Sequence, residues 1–399
     1  MWRAVTPRDH PFVPGSPVHV SPGAPVRVLH LADVVNRYDF IDNVVRNLDP
    51  SRFDVEVATF TAGSNIHPPD YEAAGVVHSV LGANGRKDYP AAALRMARLL
   101  RKRDIDIVHA HHFDPNAVAW LATQLRPSAR IVVGRHYCDA IYLNSFGARQ
   151  RANLAIERLV NRRATRIIVP STAIRDLMIG RQGVPAGKVD VIPYAFDPSR
   201  YELPTAKDRA EVRADLGLSS CFAVATIGRL YRDKGHRYMV EAVRQVAQDL
   251  PDLTWVIVGD GPDRAQIESA VDQDGLAGRV RVLGWRKDAL RLLGAMDAVV
   301  QPSLQEAYSQ VMAEALWMSR PLVMTDVSGA PDLVTDGETG LVVPRADAGA
   351  LARALRDLYA DAALCERLGR QGRRHVEARL AIPAILPRYE ESYLRAMER

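Results

Sequence analysis

The chain is predicted to be α/β, with two doubly wound parallel-sheet domains facing a cleft. Three observations carry this. Short apolar runs of β type alternate with helix-patterned stretches over residues 26–192. A second series of the same kind occupies 222–343. Between them, Asp197-Pro198-Ser199-Arg200-Tyr201-Glu202-Leu203-Pro204-Thr205 breaks the rhythm and reads as a linker. Strands alternating with helices build parallel sheets.

The elements follow in order. Residues 1–25 hold Pro7, Pro11, Pro14, Pro17, Pro22 and Pro25 with no apolar h-region, so they read as an N-terminal arm and not a secretory signal. The first-series strands are Val26–Leu31, Phe53–Thr59, Val76–Val80, Ile105–His109, Ile131–Gly134, Arg166–Val169 and Val189–Ile192. Helices are expected near 38–48, 89–103, 115–125, 146–163 and 171–181. The second-series strands are Phe222–Ile227, Leu253–Val258, Val280–Leu283, Ala298–Gln301, Leu322–Met324 and Leu341–Val343. In 236–250, Met239, Ala242, Val243, Val246, Ala247 and Leu250 recur at three-and-four spacing, which marks the buried stripe of an amphipathic helix.

Composition narrows the class. With 399 residues, 47% hydrophobic and 25% charged, the chain is neither disordered nor collagen-like. No apolar run approaches the length needed to span a bilayer. Cys138, Cys221 and Cys365 are odd in number and far apart, which fits a reducing cytoplasm and no disulfide framework. Net charge is +5, unevenly placed: residues 1–200 carry 26 Lys+Arg against 18 Asp+Glu. A basic front half suits an anionic partner or simply solvates helix faces.

Ligands of open parallel sheets sit at the carboxyl ends of the strands, so the loops there carry the candidates. Gly228-Arg229-Leu230-Tyr231-Arg232-Asp233-Lys234-Gly235 follows a strand and opens a helix. Gly228 admits close backbone approach, while Arg229 and Lys234 stand where anions are held. Gly259-Asp260-Gly261 closes the next strand as a tight turn. Pro302 to Glu314 is the most informative segment. Glu306 lies before a helix and Glu314 inside it, eight residues on, and Ala307, Tyr308, Ser309 and Gln310 lie at the helix start. Helix-start N–H groups cradle phosphate, and carboxylates accept hydrogen bonds from sugar or ribose hydroxyls. Val311, Met312, Ala315, Leu316 and Trp317 make that helix mostly apolar, so Glu314 needs a partner or ligand.

In the front half, His109, His111 and His112 end one strand and His136 follows the next. No Cys or carboxylate accompanies them at ligand spacing, so no metal is expected. His109, inside its run, reads as a core histidine. His111 and His136, at strand ends, suit hydroxyls or phosphate.

The segments GRLYRDKG, VIVGDGP, VRVLGW and PSLQEAYSQVMAEALWMSRPLVMTDVSGAPDLVTDGETGLVVP resemble glycosyltransferase family 4, as do DIVHAHH, VVGRH and IIVPSTAIRDLMIGRQGVPAGKVDVIPYAFD. The resemblance covers residues 26–375. It implies a GT-B fold: an acceptor-side domain over 26–200 with 380–399 crossing back to it, and a nucleotide-sugar-binding domain over 206–379. It implies a retaining transferase that moves a sugar from a nucleoside-diphosphate sugar to an acceptor hydroxyl, in glycan, polysaccharide or glycolipid synthesis. Arg229 and Lys234 match the pair that holds the diphosphate. Glu306 and Glu314 match the E-x7-E carboxylates, at the donor sugar and the ribose. Residues 307–309 match the phosphate contacts, and His136 matches the histidine near the transferred sugar.

Three departures stand out. Leu31-Ala32-Asp33-Val34-Val35-Asn36-Arg37 has no glycine where the family places them, which hands that contact to Asn36 and Arg37. Pro193-Tyr194-Ala195 replaces Pro-Asn-Gly. Ser328-Gly329-Ala330-Pro331-Asp332 has one glycine where two are common, and Asp332 where Glu is common.

No cofactor or metal is expected beyond the co-substrate, and no nucleic acid. A sugar, glycolipid or small-molecule acceptor is expected. Arg149, Arg151, Arg158, Arg162 and Arg163 beside Leu154, Ile156, Leu159 and Val160 raise peripheral contact with an anionic inner membrane face. A sugar-nucleotide epimerase of the same fold and a non-catalytic nucleotide-sugar-binding protein are the rival readings.

Overall fold

The computed structural model describes residues 24–35, 40–61, 70–137 and 147–398. It divides into two compact units, Met1–Ala195 with Ile385–Arg399, and Phe196–Ala384.

The first unit is a seven-stranded parallel sheet: β1 Val26–Ala32, β2 Phe53–Thr59, β3 Val77–Val80, β4 Ile107–His111, β5 Arg130–Gly134, β6 Arg166–Val169 and β7 Val189–Val191. Its strand order is β3-β2-β1-β4-β5-β6-β7. The helices are α1 Phe40–Asn47, α2 Tyr89–Lys102, α3 Phe113–Leu125, α4 Ala148–Arg163 and α5 Thr172–Gln182. The order reverses direction between β1 and β4, which makes their carboxyl ends the crevice of this sheet. The central strands read as continuous apolar runs because both faces are covered. Val28, Leu29, Ile107, Val108, Ile131 and Val132 are fully buried.

The second unit has six parallel strands: β8 Phe222–Ile227, β9 Leu253–Val258, β10 Val280–Val282, β11 Ala298–Gln301, β12 Leu322–Thr325 and β13 Leu341–Val343, in the order β10-β9-β8-β11-β12-β13. Here the order reverses between β8 and β11. The helices are α6 Ala206–Asp215, α7 His236–Val246, α8 Arg264–Gln273, α9 Ala289–Ala295, α10 Gln310–Trp317, α11 Ala330–Leu333, α12 Ala348–Ala360 and α13 Ala362–Arg379. Thr205 caps α6 in a reciprocal box with Asp208. Asp347 and Asp361 accept from the Ala350 and Leu364 N–H groups at 2.8 and 2.9 Å, capping α12 and α13. The apolar stripe of 236–250 is core: Met239, Ala242, Val243, Val246 and Leu250 pack around fully buried Trp255.

The sequence set the unit boundaries at 200/206 and 380, whereas the structure divides at 195/196 and 384/385. The reason is local. Phe196 donates its N–H to the Leu380 carbonyl at 2.8 Å and stacks on Tyr201 with centroids 4.5 Å apart, so the predicted linker is part of the second unit. The last helix, α14 Ile382–Met397, joins the first unit from Ile385 onward. There Ser392 donates to Asp190 at 2.8 Å, and Tyr389 and Tyr393 are buried.

Candidate functional site

In the second unit the loops after β8, β9 and β11 meet at the switch point. Gly228 and Gly259 have φ of 155° and 140°, a region only glycine enters without strain. A Cβ on Gly259 would strike the Gly228 backbone, and one on Gly261 would lie 2.8 Å from the Leu230 carbonyl carbon. The two turns are therefore in backbone-to-backbone contact, with Leu230 N–H bonded to the Asp260 carbonyl at 3.0 Å. Gly235, at φ 69°, starts α7 with no room for a side chain against the Pro302 carbonyl. Gln301 donates to the Ile227 carbonyl at 2.9 Å and ties the ends of β8 and β11 together.

This frame joins the two motif segments. The Asp233 carbonyl accepts from the Leu304 N–H at 2.6 Å, and Lys234 is ion-paired with Glu306. Both side chains are largely buried, at 18% and 16% exposure. Burial raises the Glu306 carboxyl, and Lys234 opposes that rise. Arg229 is exposed, with its guanidinium 5.1 Å from the Tyr231 ring centroid. Ala307 and Tyr308 are buried, and Gly329 seats behind them: a Cβ there would lie 2.7 Å from the Ala307 carbonyl oxygen. Ser309 precedes α10 without a side-chain capping bond, and the first N–H groups of a helix have no intrahelical partner. Gly228, Arg229, Lys234, Gly259, Gly261 and Glu306 thus stand on adjoining loops next to the start of α10 at Gln310.

Glu314 is not on a solvated face. It is held by the Tyr201 hydroxyl at 3.3 Å and Gln310 Nε2 at 3.5 Å, and burial raises its pKa to about 7. The sequence pattern places Tyr201 in a linker. Its role was hidden because the pairing spans 113 residues.

In the first unit, β4 runs on to His111, two residues beyond the expected end. A strand's period of two then puts His109 and His111 on one face, and the register opposite β1 pairs His30 with His109. His111 Nδ1 lies 2.9 Å from His136 Nε2, and His111 Nε2 lies 3.0 Å from His30 Nδ1. Both nitrogens of His111 are engaged, so it has none left for the hydroxyl or phosphate expected of it. His109 is a core histidine, bonded through Nδ1 to the Tyr393 hydroxyl at 2.8 Å. Burial lowers His109, His111 and His136 well below the usual imidazole range.

The neighbours of His136 hold it in place. Arg135 is ion-paired with Glu157 of α4, and Tyr137 donates to the same carboxylate at 2.6 Å. The Phe40 ring lies 4.5 Å from His136 and stacks on Tyr194 at 4.1 Å. Tyr194, which stands where the family pattern has Asn, thus builds the wall beside His136. Ligand nitrogens of His30, His109 and His111 lie within 4.8 Å of one another, a grouping that could hold a metal ion, although His30 and His111 already bond each other. Asn36 and Arg37 lie outside the described residues, as does Cys138.

Two Rossmann-type parallel-sheet units, the second gathering Arg229, Lys234 and Glu306 on glycine-built loops, have the GT-B architecture. Residues 40–200 match the model for Glycosyltransferase Family 4, and 222–361 that for glycosyl transferases group 1. The chain belongs to glycosyltransferase family 4. It is 33% identical over 214 residues to the alpha-D-kanosaminyltransferase of Streptomyces kanamyceticus, covering 53% of this chain and 55% of that one. Against the 2-deoxystreptamine N-acetyl-D-glucosaminyltransferase of Streptomyces fradiae it is 30% identical over 311 residues, 73% of this chain and 70% of that one. The chain therefore spans only about half the length of the kanosaminyltransferase. HepE of Anabaena in complex with UDP has the same fold, with a TM-score of 0.79 at 22% identity over 92% of this chain and 99% of that one. A sucrose-phosphate synthase from Thermosynechococcus elongatus gives 0.79 at 23% identity, covering 94% and 99%. Among the described residues no helix is long and apolar enough to cross a membrane.

Proposed function

We propose that this protein is a retaining, metal-independent glycosyltransferase that moves a sugar from a nucleoside-diphosphate sugar to an acceptor hydroxyl. One observation carries the reading: Lys234, tied to Glu306, stands with Arg229 on loops joined by backbone contact beside the start of α10. Breaking the glycosidic bond leaves negative charge on the diphosphate. Groups already aimed at that charge lower the barrier most. Arg229 supplies a fork, Lys234 a point charge and the α10 start its N–H groups.

The bond between the anomeric carbon and the phosphate oxygen breaks, and the diphosphate leaves with the electron pair. The acceptor oxygen bonds the same face, and its proton passes to the departing phosphate. No protein nucleophile enters, so Glu306 holds donor hydroxyls as an acceptor of hydrogen bonds. Glu314 takes the ribose hydroxyls, becoming ionised as they replace its lost hydration. Uridine is the first base to test, since HepE is seen with UDP and UDP-glucose. Two relatives are named for 2-deoxystreptamine and another, LpsD of Rhizobium meliloti, for lipopolysaccharide core biosynthesis, which makes polyhydroxylated small molecules and glycolipids the acceptor classes to try.

The experiment is acceptor-dependent release of nucleoside diphosphate. A transferase releases it only with acceptor present. Consumption of donor without acceptor favours an epimerase, and binding without turnover favours a non-catalytic protein. Peripheral lipid contact belongs to the same reading: Arg149, Arg151, Arg158 and Arg162 are exposed on α4 with Leu159, while Val160 is buried. Co-sedimentation with anionic liposomes at low salt tests it, and no binding ends it.

A further inference from the structure

A line of buried side chains crosses the first unit. His109 Nδ1 lies 2.8 Å from the Tyr393 hydroxyl, which lies 3.2 Å from His30 Nε2. His30 Nδ1 lies 3.0 Å from His111 Nε2, and His111 Nδ1 lies 2.9 Å from His136 Nε2. The two ends, His109 Nε2 and His136 Nδ1, are buried without a hydrogen-bond partner. The five residues come from β1, β4, the turn after β5 and α14, and they are joined by nothing local in the chain.

A neutral imidazole has one N–H and one bare nitrogen. Each link therefore sets the tautomer of the next ring, and with the buried Tyr393 hydroxyl donating its own proton into the line, only two directions satisfy every link. One ends with an N–H at His109 Nε2, the other with an N–H at His136 Nδ1. A buried N–H without an acceptor is rarer than a buried acceptor without a donor. His109 is 0% exposed, closed in by the Tyr389 and Tyr393 rings, whereas His136 is 8% exposed. Both end nitrogens are covered, but of the two residues His136 alone keeps exposed surface, so it is the end that a ligand can approach.

We propose that Tyr393, His30 and His111 are positioning residues that lock His136 in its Nδ1–H tautomer, so that it presents a donor to a substrate oxygen. In this direction His109 donates to Tyr393, Tyr393 to His30, His30 to His111 and His111 to His136. Only the last clause, the substrate oxygen, rests on the transferase reading. Burial keeps the rings neutral, which the single direction requires. Gly134 is part of the device. A Cβ there would stand 2.5 Å from His136 Nε2 and 2.8 Å from His111 Nδ1, in the middle of their bond.

The test is 15N NMR of the full chain labelled at histidine, with the His136 signals identified by their loss in His136→Gln. His136 is expected as the Nδ1–H tautomer in the wild type. Tyr393→Phe keeps the ring and removes the relay hydroxyl. It should give a mixture of His136 tautomers and lower kcat by about tenfold, with KM for donor little changed. Gly134→Ala severs the last link and should do the same to the tautomer. An Nε2–H tautomer in the wild type, or an unaltered His136 spectrum in folded Tyr393→Phe, overturns the proposal. So does one equivalent of zinc in the purified protein, since a metal on His30, His109 and His111 breaks the relay. Failure of acceptor-dependent turnover would leave the tautomer result standing, so the two readings fail separately.

Discussion

Lys234 and Glu306, 72 residues apart, form an ion pair at the meeting of the loops that follow β8 and β11. The pair puts an ammonium and a carboxylate at one corner, each holding the other against burial. Lys234→Ala is expected to lower turnover by about 10²–10³, or about 2.7–4 kcal/mol of barrier. Steady-state kinetics checks this. A Lys234→Ala/Glu306→Gln double variant no worse than the single one would show that the two act as a unit.

Glu314 makes stability depend on pH. Its folded pKa of about 7 exceeds the ordinary 4.5, so the folded state binds more protons between those values. Its contribution is present below pH 4.5 and is lost as pH rises through 7, by about 3 kcal/mol at most. Urea unfolding of wild type and Glu314→Gln from pH 5 to 8 should show the difference between them changing in that direction. A constant difference contradicts the assignment.

Arg135 and Glu157 are buried together, with side chains 3% and 8% exposed. Arg135→Met leaves the Glu157 carboxylate without its cation and should cost about 3–5 kcal/mol of stability. Adding Glu157→Gln should restore most of it. Denaturant melts of the two variants decide this.

On the proposed reading Arg229 and Lys234 are the cations that meet the leaving diphosphate, so prolonged treatment with a strong chelator should leave turnover intact. Complete loss that is reversed by a divalent ion would transfer the role of Arg229 and Lys234 to a metal.

Much of this was legible in the sequence. Phe53–Thr59, Phe222–Ile227 and Leu253–Val258 are bounded in the structure as they were read, because buried parallel strands write themselves as unbroken apolar runs. The burial of Glu314 was also legible, from the apolar residues around it on one helix. What remained hidden was long-range pairing. Nothing near His30 or Tyr393 signals that they meet across 363 residues, and nothing in a Pro-flanked linker shows that Tyr201 folds back onto Glu314. Such contacts are set by register and topology, not by local pattern. The extension of β4 to His111 is the same lesson at short range: a polar residue ends an apolar run but not the strand, since its ring nitrogens are satisfied inside the fold.

The most direct measurement is calorimetric titration of UDP, GDP and ADP into the wild type and into an Arg229→Ala/Lys234→Ala double variant. At least one nucleotide should bind the wild type, and the double variant should bind it at least about tenfold more weakly, a difference of about 1.4 kcal/mol. Equal affinity in the two proteins would show that the diphosphate is held elsewhere and would contradict the account.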